Sequence, residues 1–284
     1  MPKLRLMTHN IWNNTENSPA WAAKGFDCSA EARTPSLLRV YRELCPDVIG
    51  GQEFSTRLAE LLSQALAKNY AYIPCGYTPI LYHKERLRLL EMDSYTYPEK
   101  IEGYAGIFND ASSKSYCIAV LESTEDQKRF IFASTHLWWM KSPTEDMKPP
   151  YPGNYQIGSD EARVLQLQTL IKRLESYREK YGCPIFLVGD LNASYNSPAV
   201  QSAFTSGYRH AHDIATEHAD HTVGYHYCFF DGFETEYYDK PFEWALDHIL
   251  TLDAEDSVRR FERYNPDYYF PISDHSPAFV DIEL

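Results

Sequence analysis

Short apolar runs that end in polar residues recur along the whole chain, and they restrict its fold more than any other feature. Residues 4–7, 48–50, 80–83, 116–121, 130–134, 185–188, 245–250 and 278–282 are each bounded by turn or polar residues, so each is predicted to be a strand. Several are mostly apolar. Helical spacing lies between them: Leu58, Leu61, Leu62, Ala65 and Leu66 share one face, and Leu167, Leu170, Ile171 and Leu174 share another. Strands and helices do not alternate strictly, and hairpins are expected within 80–97 and 116–134, which fits a layered α/β sandwich with antiparallel pairing. The chain has 284 residues, with no fixed-period repeat and no Gly/Ser linker. A single domain over 1–284 is therefore expected.

Composition narrows the class. With 44% hydrophobic and 24% charged residues the chain can build a core, and no apolar stretch suits a signal peptide or a membrane span. The formal charge of −13 opposes non-specific attraction to phosphate polymers, while clustered carboxylates could be neutralised by a divalent cation. Six cysteines, Cys28, Cys45, Cys75, Cys117, Cys183 and Cys228, form no C-x-x-C pair, which argues against a zinc or thioredoxin-like motif. Reduced, buried thiols and a cytoplasmic location are the expectation. Two long loops are expected at 138–159, which is rich in proline, and at 223–242, which is crowded with aromatic and acidic residues.

The polar ends of the strands carry the chemistry. Thr8-His9-Asn10, Gln52-Glu53, Thr135-His136 and Gly189-Asp190-Leu191-Asn192 each follow an apolar run, and aligned strands present such ends at a shared rim. Glu53 is a candidate ligand for Mg²⁺ or Mn²⁺, hard cations that prefer carboxylate, amide and water oxygens; alone, it would more simply cap the helix that follows. Asp190 and Asn192 can share one side of an extended chain and position water and phosphate, with a strand-exit turn as the plain alternative. Asp247 lies inside an apolar run, where a lone carboxylate is costly, and needs a partner, which His275 in Ser273-Asp274-His275-Ser276 can supply as a proton-carrying pair or as a structural ion pair. His136 can donate to a phosphoryl oxygen, or it can be a core histidine satisfied by backbone. Tyr82 and Arg163 are weaker substrate candidates, since Tyr82 can alternate outward and Arg163 can pair with Asp160.

Taken in order, Thr8-His9-Asn10-Ile11, Gln52-Glu53, Thr135-His136-Leu137, Gly189-Asp190-Leu191-Asn192, Leu246-Asp247-His248-Ile249 and Ser273-Asp274-His275 resemble the endonuclease/exonuclease/phosphatase family over residues 4–283. The resemblance implies a four-layered α/β sandwich of two packed, mostly antiparallel sheets flanked by helices. It also implies Mg²⁺- or Mn²⁺-dependent hydrolysis of phosphate esters. By position, Glu53 would bind the metal with Asn10 and Asp274, Asp190 and Asn192 would orient water and phosphate, His275 would pair with Asp247, and His136 would touch the phosphate. The sequence departs from the family at His9 and His248, where aromatic residues are common. The stretch 221–226 loosely resembles a Thr-aromatic-His segment of bacterial members.

The acidic balance and aromatic loops favour a small phosphodiester, a sugar phosphate, a lipid headgroup or a single-stranded nucleic acid as substrate. A nuclease is the main alternative, and a non-catalytic binding module on the same fold is another. A zinc hydrolase lacks the expected His/Cys spacing. A monomer is expected.

Overall fold

The apolar runs become strands because most are covered on both faces. In a computed structural model, which describes residues 3–222, 240–266, 268–269 and 272–284, the strands alternate between two different cores. The elements in chain order are β1 (Lys3–Asn10), α1 (Pro19–Ala22), α2 (Ala30–Leu44), β2 (Val48–Gln52), α3 (Thr56–Leu66), β3 (Tyr70–Ile73) and β4 (Ile80–His83). They continue with β5 (Leu87–Thr96), β6 (Ser115–Ser123), β7 (Arg129–His136), α4 (Ser159–Tyr181), β8 (Ile185–Asp190) and α5 (Pro198–Thr205). The last are β9 (Arg209–His210), α6 (Ala211–Ile214), β10 (Glu217–His218), β11 (Asp247–Leu252), β12 (Val258–Arg263) and β13 (Ala278–Glu283).

One sheet has the order β10-β12-β13-β1-β2-β4-β3, the other β5-β6-β7-β8-β11-β9. Most pairings are antiparallel; β1–β2, β7–β8 and β10–β12 are parallel. Leu6, Val48, Phe132, Phe186 and Ile249 point between the sheets. Their chain neighbours turn the other way: Met7 and Ile49 meet Leu37, Val40, Leu58 and Leu62 of α2 and α3. On the far side, Ile131 and Ile185 meet Leu167, Leu170 and Leu174 of α4 and Val200 and Ala203 of α5. The result is the four-layered α/β sandwich. A strand whose successive residues enter two cores reads as a continuous apolar run, and each large apolar side chain it buries contributes about 1.5–3 kcal/mol.

Two glycines let the layers close near the strand ends. A Cβ on Gly50 would stand 2.5 Å from Val188 across the sandwich, and one on Gly189 would stand 2.0 Å from the Thr135 carbonyl oxygen on β7. A larger residue at either position forces the strands apart just beneath His136 and Asp190.

The thiol expectation is corrected at one pair. Cys75, in the turn between β3 and β4, is disulfide-bonded to Cys117 on β6, so the bond joins the two sheets. Cys28 and Cys183 are buried free thiols and Cys45 is an exposed one, while Cys228 lies outside the described residues. The sequence separation of 42 gives a loop-closure stabilisation of about 4 kcal/mol in the chain-entropy model. It also removes the thiol argument for a cytoplasmic location. No described helix is long and apolar enough to cross a membrane.

Candidate active site

Three strands of each sheet bring residues to one cluster. Asn10 ends β1, Glu53 follows β2, His136 ends β7 and Asp190 ends β8, while Asp247 opens β11 and Asp274 and His275 precede β13. Because β11 and β13 run antiparallel to their neighbours, their N-terminal ends reach the same rim as the C-terminal ends of β8 and β1. Asp190 is in register with both His136 and Asp247.

Asp190 is the hub. Its Oδ2 accepts from Asn10 Nδ2 at 2.9 Å and faces His136 Nε2 at 3.5 Å and His275 Nε2 at 3.8 Å. Asn10 Nδ2 also reaches Glu53 Oε1 at 3.2 Å, while the Asn10 oxygen accepts the Trp12 N–H at 3.0 Å. That last bond sets the amide so that its nitrogen points at the two carboxylates. Glu53 Oε2 accepts from the Asn13 N–H at 2.9 Å. The carboxylate is thus turned to the rim and does not cap α3, whose N-cap is Ser55. Glu53, Trp12 and Asn192 all have positive φ, at 61°, 57° and 48°. Left-handed backbone at three non-glycine residues of one site is local strain held by the surrounding packing.

Asn192 reaches the site differently from the expected strand alternation. Strand β8 stops at Asp190, whose Oδ1 accepts the Asn192 N–H at 2.8 Å. The Asn192 side chain donates to the Leu137 carbonyl at 3.0 Å, bracing the loop that follows His136.

His275 Nδ1 donates to Asp247 Oδ2 at 2.8 Å, the expected pair. Burial alone would lower the His275 pKa, but Asp247, Asp190 and Asp274 outweigh it and hold the imidazole well above its ordinary value. Burial would likewise raise Asp247, yet His275 and Arg263 keep it below the usual carboxylate value. Asp190 has less compensation: burial and the Asp247 charge push it up to about 7. Asp274 is raised to about 6 by burial and by the Glu53 charge.

His136 has the opposite surroundings. Lys114, buried at the start of β6, places Nζ 3.0 Å from His136 Nε2. Burial and the Lys114 and His275 charges drive the His136 pKa well below its ordinary value. Lys114 is itself lowered by burial, opposed by Glu53, Asp110 and Asp190. Sequence reasoning missed this lysine. It directly precedes β6, and a lysine before a strand carries no local sign of burial.

Arg33 was missed too. From α2 its guanidinium donates to the carbonyls of Ile11 (2.6 Å), Trp12 (2.7 Å), Asn14 (2.5 Å), Cys28 (3.0 Å) and Ile272 (2.8 Å), tying the loop after β1 to the segment before Asp274.

The two unusual histidines support this rim from below. His9 donates through Nε2 to Tyr269 Oη at 2.6 Å, and Tyr269 donates to the His275 carbonyl at 2.5 Å. Burial lowers the His9 pKa to about 3, so it is a neutral strut. His248 donates through Nε2 to the Ala193 carbonyl at 2.7 Å and accepts from His210 at 3.1 Å.

Two other candidates are placed elsewhere. Tyr82 pairs with Val48, at the end of β2 remote from Glu53, and its ring packs against the inter-sheet core. Arg163 is buried on α4, where it donates to the Trp138 and Met140 carbonyls and to Asp160 at 3.1, 2.6 and 2.5 Å. Its work is to anchor the 138–159 loop. Of the 221–226 stretch, residues 223–226 lie outside the described residues, as does most of the expected 223–242 loop.

The donor set can hold a divalent cation. Glu53, Asp190 and His136 offer ligand atoms within 4.8 Å of one another, no thiol is present, and the repulsion that raises Asp274 beside Glu53 is what a cation would relieve.

Fold and rim together define a four-layered α/β sandwich protein with an acidic, histidine-flanked site between its two sheets. A family model described as the endonuclease/exonuclease/phosphatase family matches residues 7–275, and the chain belongs to that family. Among solved structures, a Bacteroides vulgatus family member superposes with TM-score 0.73 at 19% identity, covering 100% of both chains. The mannosyl-6-phosphatase of Bacteroides thetaiotaomicron gives 0.71 at 16% identity, covering 99% of this chain and 100% of its own. D. rerio TDP2, complexed with a single-strand DNA product, gives 0.64 at 14% identity over 99% of each chain. A search of curated protein sequences finds no match.

Proposed function

We propose that this chain hydrolyses phosphate esters by in-line attack of water, with Asp190 as general base. The observation that carries this reading is the Asp190 carboxylate itself: buried, raised to about 7, and faced by Asn10, His136 and His275 within 2.9–3.8 Å. A base of that pKa can accept a proton from water near neutral pH. His275, kept protonated by Asp247, is a poor base and a good charge donor to phosphoryl oxygens. On the opposite side the Lys114 ammonium donates to Nε2 of neutral His136 and adds positive charge beside the site. Glu53 and Asp274 would hold Mg²⁺ or Mn²⁺, which when bound supplies charge neutralisation at the phosphoryl group, and Asn10 positions the Glu53 carboxylate through its amide N–H.

The substrate class favoured is a small phosphate ester such as a sugar phosphate. Trp139, in the loop after His136, and Trp244, just before Asp247, are 41% and 66% exposed, and such rings stack on sugars or bases. The net charge of −13 opposes long polyanions. The same exposed rings favour a second reading, single-stranded nucleic acid.

Release of p-nitrophenol from its mono- and diphosphate esters is expected with Mg²⁺ or Mn²⁺ and is expected to stop with chelator. Absence of turnover with every divalent ion and ester would leave a binding module. Preferential cleavage of single-stranded oligonucleotides, falling steeply with salt, would select the nuclease reading.

A further inference from the structure

A second group of ligand-bearing side chains lies at the far edge of the sandwich, where β9 runs directly into α6 and the chain returns through β10. There His212, His218 and Asp220 each present a ligand atom within 4.8 Å of the other two. None of them belongs to the Asp190 cluster.

The hydrogen bonding assigns the protons. His212 Nδ1 lies 3.1 Å from Asp213 Oδ1, and an ionised carboxylate can only accept, so Nδ1 carries the hydrogen. In the neutral imidazole, Nε2 then holds a lone pair. That atom is buried without a hydrogen-bond partner and faces Asp220 Oδ1 at 3.7 Å. Two acceptors facing each other across a gap of this size are unfavourable unless a proton on Nε2 or a metal cation lies between them. His218 Nδ1 lies 2.9 Å from the same Asp220 oxygen. In a tetrahedral site with bonds of about 2.0–2.1 Å, ligand atoms stand roughly 3.3 Å apart, and the two observed separations bracket that spacing.

We propose that His212, His218 and Asp220 form a binding site for a transition-metal dication of the zinc class, separate from the cation site at Glu53. Two imidazoles and one carboxylate select such ions over magnesium or calcium. Asp213 holds the His212 ring by its Nδ1–H and is itself held by the Tyr195 hydroxyl at 2.6 Å, the outer support that metal-binding histidines use. The Phe242 ring stacks on His212 at 3.5 Å, with 16° between the planes, and fixes its orientation. When His218 ligates through Nδ1, its proton moves to Nε2, so no net proton need be released. Asp220 is 82% exposed at its side chain, so water completes the coordination and the ion exchanges with solvent.

The position gives the ion a structural task. The Thr222 N–H donates to the Lys240 carbonyl at 2.8 Å beside this cluster, so the described residues on either side of 223–239 are joined here. Tyr195 belongs to the loop that leaves Asp190 and Asn192. The His212 N–H also donates to His210, which donates to His248, which donates to the Ala193 carbonyl of that loop. A metal on His212 therefore braces the loop of the catalytic aspartate from two directions.

Zinc content after dialysis and desalting tests the site, with cobalt(II) as a spectroscopic probe. Wild-type protein is expected to retain one more equivalent of Zn²⁺ than His218→Ala or Asp220→Asn, and to show a Co²⁺ visible band that both variants lose. These side chains are partly or largely exposed, so the variants are expected to fold, which circular dichroism verifies. Asp213→Ala is expected to weaken zinc binding by about 10–100-fold without abolishing it. Equal zinc content and equal Co²⁺ spectra in wild type and variants would overturn the proposal. So would an imidazolium signal for His212 by NMR that persists with zinc in excess.

Discussion

The two histidines that flank Asp190 sit at similar distances from it and live in opposite electrostatic surroundings. His275 is enclosed by Asp247, Asp190 and Asp274 and is held protonated, whereas His136 is buried against the Lys114 ammonium and is held neutral. The difference comes from which elements pack nearby. The His275 side collects the ends of β8, β11 and the segment before β13, which bring carboxylates; the His136 side receives the head of β6, which brings a lysine. One aspartate thus faces a protonated imidazole on one side and a neutral imidazole backed by the Lys114 side chain on the other. Two identical side chains in one site are given different roles by their second neighbours.

That contrast can be broken at its centre first. Asp190→Asn keeps the shape and removes the base, so turnover of a p-nitrophenyl ester is expected to fall about 10²–10⁴-fold with an unchanged circular dichroism spectrum. Near-normal rates would remove Asp190 from the chemistry.

Asp247→Asn attacks the His275 side alone. It takes away the largest contribution that raises His275, so the imidazole pKa is expected to fall in a carbon-13 NMR titration of chelated protein, and turnover to fall by about 10²-fold. The sign of the associated stability follows from the direction of the shift. With a folded pKa above the unfolded value of about 6.5, the His275 contribution is fully present below that value. It is lost as pH rises through the folded pKa. In the variant this loss should move to lower pH in urea-unfolding measurements; an unmoved profile would show that the pair does not control His275.

Lys114→Met tests the other side and should have the smallest effect. Without the ammonium, His136 is expected to titrate closer to its ordinary pKa, visible in the same NMR experiment, with turnover lowered about tenfold. A His136 resonance that does not respond would mean that burial, and not Lys114, keeps it neutral.

Much of the site was legible because strand ends announce themselves. An apolar run followed by Asn10, Glu53, His136 or Asp190 reads as a strand delivering a polar group to a sheet rim, and the Asp247–His275 pair follows from the cost of a lone buried carboxylate. Lys114 and Arg33 were not legible, since a lysine before a strand or an arginine on a helix face is ordinarily solvated and nothing local says that it is buried. The short strands β9 and β10 and the two-histidine cluster at that edge carry no periodicity, so their meeting could not be read from spacing.

Local pattern by itself determined the layered sandwich and which polar residues stand at strand ends, because strand and helix periodicity and the cost of burying polar groups act residue by residue along the chain. The tertiary structure alone decided that the Cys75 and Cys117 thiols meet across the two sheets, that Tyr82 lies at the other end of β2 and the Arg163 guanidinium is taken up by loop carbonyls, and that His136 and His275 differ in charge. Proximity between segments far apart in sequence depends on how layers stack and cross. A pKa depends on every charge within a few ångströms, whatever its place along the chain.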